Sequence, residues 1–92
     1  MATVYKARPR IDGNNAPEVQ EEIMALITGE GGDVVVDLSE TKYISSAGLR
    51  VLLSAHKKLK AAGGRFTLRG VSPTVREILD VTGFSGFLEI ET

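Results

Sequence analysis

A single α/β domain is the architecture this 92-residue sequence predicts, with a mixed β-sheet of about four or five strands and helices packed on it. Three observations carry the prediction. "DVVVDL" is a continuous β-branched run of the kind found in strands buried at the middle of a sheet. "FTL" in "RFTLRG" and "LEI" in "FLEIET" alternate apolar with polar residues, as half-buried strands do. Between the strand candidates lie stretches with helical apolar spacing, and helices that connect successive strands imply a mostly parallel or mixed sheet.

The elements follow in the order β, α, β, α, β, α, β. In "VYKARPRI", Tyr5, Ala7 and Ile11 fall on one face, while Lys6, Arg8 and Arg10 fall on the other, a strand pattern. Pro9 cannot donate to a ladder, so this strand lies at an edge or ends there. Asn15 with Glu18 forms a capping pair, Pro17 sits in the first turn, and Val19, Ile23, Leu26 and Ile27 keep the spacing of a first helix. "TGEGG" is a turn, and Val34, Val35 and Val36 follow as the central strand. Leu49, Leu52, Leu53 and Leu59 make the stripe of a second helix, which stops at Gly63 and Gly64. After the strand at Phe66 and Leu68, Ser72 caps a third helix with Pro73 at its first position, buried through Val75, Ile78 and Leu79 and ending before Gly83. Phe84 and Phe87 are expected to close the core, and Leu88 and Ile90 to belong to a last strand.

Composition restricts function. Eleven Lys plus Arg against twelve Asp plus Glu leave a formal net charge of −1, so no general attraction to nucleic acid or to an anionic membrane is expected. The sequence has no cysteine, hence no disulfide, thiolate nucleophile or cysteine-ligated metal, which suits the cytoplasm. No apolar run approaches the roughly 20 residues of a membrane span, and "MATVYKARPR" lacks the apolar centre of a signal peptide.

The chemically suggestive stretch is "KYISSAGLR", residues 42–50. Its two serines lie between the end of a central strand and the start of the second helix, where open α/β sheets present ligands and reactive groups. Free backbone N–H groups there favour an anion, and a serine oxygen can cap the helix. Ala47 and Gly48 are small enough for a partner backbone or a phosphate to pack over the turn. A helix cap packed tightly against a neighbouring strand would use the same residues.

The strings "VVVDLSETKYISSAGLRVLL" and "AAGGRFTLRGVSPTVREILDVTGF", with "RIDGNNAPEV" before them, resemble the STAS domain of bacterial anti-sigma factor antagonists over nearly the whole chain. The resemblance implies a protein of bacterial signalling that regulates transcription by binding an anti-sigma factor that is also a serine kinase. It further implies that the kinase phosphorylates the serine which, matched on Gly48 and Leu49, is Ser46. Ser45 stands where the best-known members carry Asp, and Asp12 matches the acidic residue of the turn that lies near the phosphorylation site. The implied partner surface is therefore Asp12, Ser45, Ser46, Ala47 and Gly48, although Asp12 before Gly13 also reads as a plain turn residue. The domain is expected to span residues 1–92 and to be a monomer when free. No cofactor or metal, no direct nucleic-acid contact and no membrane insertion are expected. A STAS domain can also serve as a scaffold, a transport partner or a ligand sensor without phosphorylation, and a small nucleotide-binding enzyme is the reading from another class.

Other apparent chemistry is weaker. His56, the one histidine, sits beside the apolar stripe of the second helix with no cysteine or second histidine to complete a metal site. It lies ten residues from Ser46, roughly 15 Å along a helix, and no G-x-S-x-G elbow is present, so a hydrolase triad is not expected. "GEGG" and "AGG" lack the following Lys-Ser or Lys-Thr of a phosphate loop and read as turns. "KKLK" at 57–60 suits the solvated C-terminal end of a helix.

Overall fold

Pro9 divides what alternation predicts as one strand. In the computed structural model, which describes residues 2–27 and 32–91, β1 (Ala2–Lys6) stops before the proline and β2 (Arg10–Ile11) resumes after it. The chain continues through α1 (Ala16–Met24), β3 (Asp33–Asp37), β4 (Tyr43–Ile44), α2 (Ser46–Ala61), β5 (Arg65–Arg69) and α3 (Pro73–Thr82) to a 3-10 turn at Phe84–Gly86 and β6 (Glu89–Ile90). The "TGEGG" turn lies mostly outside the described residues.

The main sheet has four strands in the order β1-β3-β5-β6, and every pairing in it is parallel. Because the order advances in one direction, right-handed crossovers place α1, α2 and α3 on one face. On that face Val34 and Val36 of β3 and Phe66 and Leu68 of β5 meet Val19 and Ile23 of α1, Leu49, Leu52 and Leu59 of α2, and Val75 and Leu79 of α3 in one buried cluster. Val35 points the other way and is only 6% exposed, so all three central valines are withdrawn from solvent as predicted. Its neighbours in register are Val4, half exposed, and Thr67. The ends of this second face carry ion pairs instead of helices: Lys6 with Glu40, Arg65 with Glu89, and Arg69 with Glu91.

Several element boundaries differ from the sequence reading. α1 ends at Met24, and Leu26 and Ile27 follow in tight turns whose amides donate to the carbonyls of Ile23 and Met24. Asn15 occupies the N-cap position of α1 without capping it. On α2, Leu53 is only half-buried, whereas Val51 and Ala55 join the buried face. α2 stops at the predicted glycines: Gly63 takes φ of +84°, and Gly64 lies so close to the carbonyl of Gly32 that a Cβ there would sit 2.0 Å from its oxygen. Phe84 packs against the core, but Phe87 is 66% exposed, since the 3-10 turn carries it outward.

β1 is tied to α1 through Glu22, whose carboxylate accepts from the Tyr5 hydroxyl and, at 2.7 Å, from Arg8. Burial and this bond to Glu22 push the Tyr5 hydroxyl pKa up to about 12. Where β1 stops, β2 pairs with β4 as a separate two-stranded parallel unit, Arg10 beside Tyr43 and Ile11 beside Ile44. This small unit positions the candidate site.

Candidate functional site

The parallel register of β2 and β4 runs into two helix starts side by side. The amide of Ser45 donates to the carbonyl of Ile11 at 2.9 Å, so the segment entering α2 is pinned against the segment entering the Asp12 turn. Ser45 is the N-cap of α2, in extended conformation, and its hydroxyl accepts from the amide of Gly48 at 3.3 Å. Such a cap satisfies one of the backbone donors that a helix start leaves without partners. Ser46 is the first residue of α2 and is exposed. No side-chain hydrogen bond of Ser46 is present among the described residues. The two serines thus divide the work: Ser45 holds the helix start and Ser46 presents a free hydroxyl.

The close neighbour that the small residues of "SAGL" suggest belongs to this chain. Gly48 is buried, and a Cβ on it would lie 2.8 Å from the Cγ2 atoms of both Ile11 and Ile44. Those isoleucines are almost fully buried, so the β2–β4 unit itself demands glycine here. Gly48 therefore offers no surface to a partner, in contrast to the expectation for it. Ala47 is half-buried and lines a groove of about 580 Å³ between α1 and α2. Gly13, Ala16, Pro17 and Met24 form the α1 side of the groove, and Arg50 and Val51 continue the α2 side.

Asp12 shapes the turn on the other flank. Its Oδ1 accepts from the amides of Asn14 at 2.9 Å and Asn15 at 3.3 Å, and its Oδ2 from Nε of Arg10 at 2.8 Å. The Asn15 side chain turns back, with Oδ1 accepting from the Asp12 amide and Nδ2 donating to the Arg10 carbonyl. The predicted cap fails for that reason: Asn15 closes the turn, and Asp12 supplies the carboxylate that collects the amides. The Arg10 guanidinium first, and then these amides, hold the Asp12 carboxyl below its usual value. Arg10 also lies over the ring of Tyr43, 4.7 Å from its centroid, and Tyr43 is itself 40% exposed.

The Ser45–Ile11 hydrogen bond sets the Asp12 turn beside Ser45 and Ser46, and the residues that follow on each segment, Gly13 and Ala47, line the α1–α2 groove. Sequence reasoning missed Arg10, Tyr43 and Arg50. Arg50 stands four residues after Ser46, a readable helical spacing, while the Arg10–Tyr43 contact depends on β2–β4 pairing that a two-residue strand does not announce. His56 lies elsewhere, its ring edge-on to Phe66 at 6.4 Å between centroids. Among the described residues no group of His, Cys, Asp and Glu could hold a metal ion, and no helix is long and apolar enough to cross a membrane.

Residues 2–92 match the STAS domain family. The chain is 38% identical to the Bordetella bronchiseptica protein BtrV over 80% of its own length and 64% of that relative. It is 33% identical to the anti-sigma-B factor antagonist of Listeria monocytogenes, over 88% of this chain and 71% of that one. Among solved structures, an anti-sigma factor antagonist from Mycobacterium paratuberculosis superposes with a TM-score of 0.84 at 26% identity, covering 97% of this chain and 75% of the other. Four parallel strands with helical crossovers, a Ser-Ser-Ala-Gly-Leu entry into α2 and these likenesses converge: the chain belongs to the STAS domain family, among the anti-sigma factor antagonists.

Proposed function

We propose that this chain binds an anti-sigma factor that is also a serine kinase, and that phosphorylation of Ser46 releases it. The observation that carries this reading is the division of labour at the start of α2: Ser45 is engaged as the cap, while Ser46 is exposed at the first helical position. The partner surface comprises Asp12, Ser45, Ser46 and Ala47 with Arg10 and Tyr43 at its rim. Gly48 contributes from beneath by letting α2 seat on Ile11 and Ile44. The chain acts in the cytoplasm as a regulatory binding module without catalysis of its own, and the kinase supplies the phosphoryl chemistry.

A phosphoserine adds about −1.5 to −2 charges near neutral pH, which a helix N-terminus tolerates. The fold therefore survives while the interface does not, because a partner surface fitted to a small hydroxyl meets bulk and charge. At about 1.4 kcal/mol per tenfold, a penalty of about 3–4 kcal/mol weakens binding by two to three orders of magnitude. Co-purification from native extract, with and without phosphatase treatment, identifies the partner, and titration calorimetry then tests the switch. Ser46→Ala binds constitutively, and Ser46→Asp binds distinctly more weakly with an unchanged thermal melt. Equal affinities for the two variants would reject the switch, and phosphate mapped to Ser45 would reject the register.

A further inference from the structure

Arg50 is exposed one helical turn beyond Ser46, and no ion pair to it is present among the described residues. Side chains four apart on a helix are neighbours, with Cβ atoms about 5–6 Å from each other, so Arg50 and Ser46 share one face of α2. Arg50 also lines the groove with Gly13 and Ala47, on the side of α2 where the Asp12 turn approaches. Glu21 is the acidic residue facing it across that groove. The backbone donors at this helix start can be assigned one by one. The Ser45 amide is taken by Ile11 and the Gly48 amide by the Ser45 hydroxyl, which leaves the amides of Ser46 and Ala47 without an intrahelical acceptor.

We propose that Arg50 is the residue that holds the phosphate once Ser46 carries it. The guanidinium swings onto the phosphoryl oxygens in a forked, charge-assisted pair, and the two free amides complete the cradle from the other side. A dianionic phosphate on the same helix outcompetes the single carboxylate of Glu21 across the groove. The phosphorylated chain then keeps its new charge folded against α2, and Arg50 no longer lines the groove as it does in the unphosphorylated chain. This inference rests on Ser46 being the acceptor and assigns that switch its intramolecular receptor.

The test uses full-length chain with phosphoserine inserted at position 46 during translation, so that no kinase is required. Phosphorus NMR follows the second ionisation of the phosphate at low ionic strength in the parent, Arg50→Gln and Arg50→Lys backgrounds. The pairing favours the dianion, so Arg50→Gln raises the phosphate pKa by a few tenths of a unit, a shift discounted for solvent exposure. Arg50→Lys recovers part of the difference, because lysine keeps the charge and loses the fork. Added salt narrows the gap. Nε–H exchange of Arg50 slows in the phosphorylated parent relative to the unphosphorylated one, and the unphosphorylated Arg50→Gln chain melts with the parent. Superimposable titrations for parent and Arg50→Gln would overturn the assignment. A kinase that modifies a residue other than Ser46 would overturn the switch, a result that the phosphorus titration neither causes nor conceals.

Discussion

α2 and α3 begin with the same cap and put it to different uses. Ser45 accepts from the amide of Gly48 at 3.3 Å, and Ser72 accepts from the amide of Val75 at 3.2 Å, each serine reaching the third residue of its helix. At the first helical position α3 has Pro73, which needs no hydrogen-bond acceptor and fixes its own φ. α2 has Ser46, an exposed residue with no side-chain hydrogen bond among the described residues. At the third position α3 buries Val75 in the core, whereas α2 must carry glycine to clear Ile11 and Ile44. Both starts satisfy the amide of the third residue with a serine hydroxyl, and they differ at the first residue, which is a proline in α3 and an exposed serine in α2. A serine cap is common to both starts and does not distinguish them; an exposed serine directly after the capping serine does.

Exchanging the third residue breaks this comparison most severely. Gly48→Val gives α2 the residue that α3 carries, and its Cβ meets two nearly fully buried isoleucine methyl groups. Overpacking of that kind costs about 1–3 kcal/mol. The expected result is a lower denaturant midpoint with an unchanged slope. A Gly48→Val chain as stable as the parent would mean that β2 and β4 give way easily, and that glycine serves something other than packing.

A smaller effect separates the two serines of α2. Ser45→Ala and Ser72→Ala each remove a cap and are expected to cost about 1 kcal/mol, within a usual range of about 0.5–2 kcal/mol. Ser46→Ala changes stability by less than about 0.5 kcal/mol, as exposed substitutions without a structural role do. Chemical denaturation of the three variants gives the ranking. If Ser46→Ala costs as much as Ser45→Ala, the hydroxyl of Ser46 is structural and the comparison between the helix starts collapses.

What could be read in advance follows from the range of the interactions. Val34–Val36, the Leu49, Leu52 and Leu59 stripe, and the Ser72–Pro73 start are local patterns, and all three stand in the structure. A serine cap and close packing over the small residues of the first turn both stand in the structure, and at "SSAGL" both were legible. The neighbour that imposes glycine at 48 was not, because Ile11 lies 37 residues earlier and reaches Gly48 through β2–β4 pairing. Two-residue strands such as Tyr43–Ile44 are too short for alternation to register. Asn15 misled for a related reason: residue type names a capable cap, but tertiary hydrogen bonds to Asp12 and Arg10 decide where its side chain turns.

α1 adds a third kind of start, and its expected effect is the smallest. Here the amides of Asn14 and Asn15 converge on the Asp12 carboxylate, which also takes the Arg10 guanidinium. Arg10 is the leading cause of the lowered Asp12 pKa, and the amides add to it. A carboxyl whose pKa is lower in the folded than in the unfolded chain stabilises the fold above its unfolded value, near 3.9 for Asp, and that contribution disappears as pH falls through the folded value. Asp12→Asn keeps an oxygen for the amides and removes the charge, so the parent melts slightly higher than Asp12→Asn at neutral pH. The gap closes at pH values below about 4 as Asp12 protonates, and it shrinks in high salt because the pair with Arg10 is solvent-exposed. Other carboxyls lowered by their own partners, including Glu22, Asp37 and Glu89, titrate in both chains and cancel from the difference. A gap that persists unchanged into acid would show that Asp12 acts through its shape in the turn alone, making this start as purely structural as that of α3.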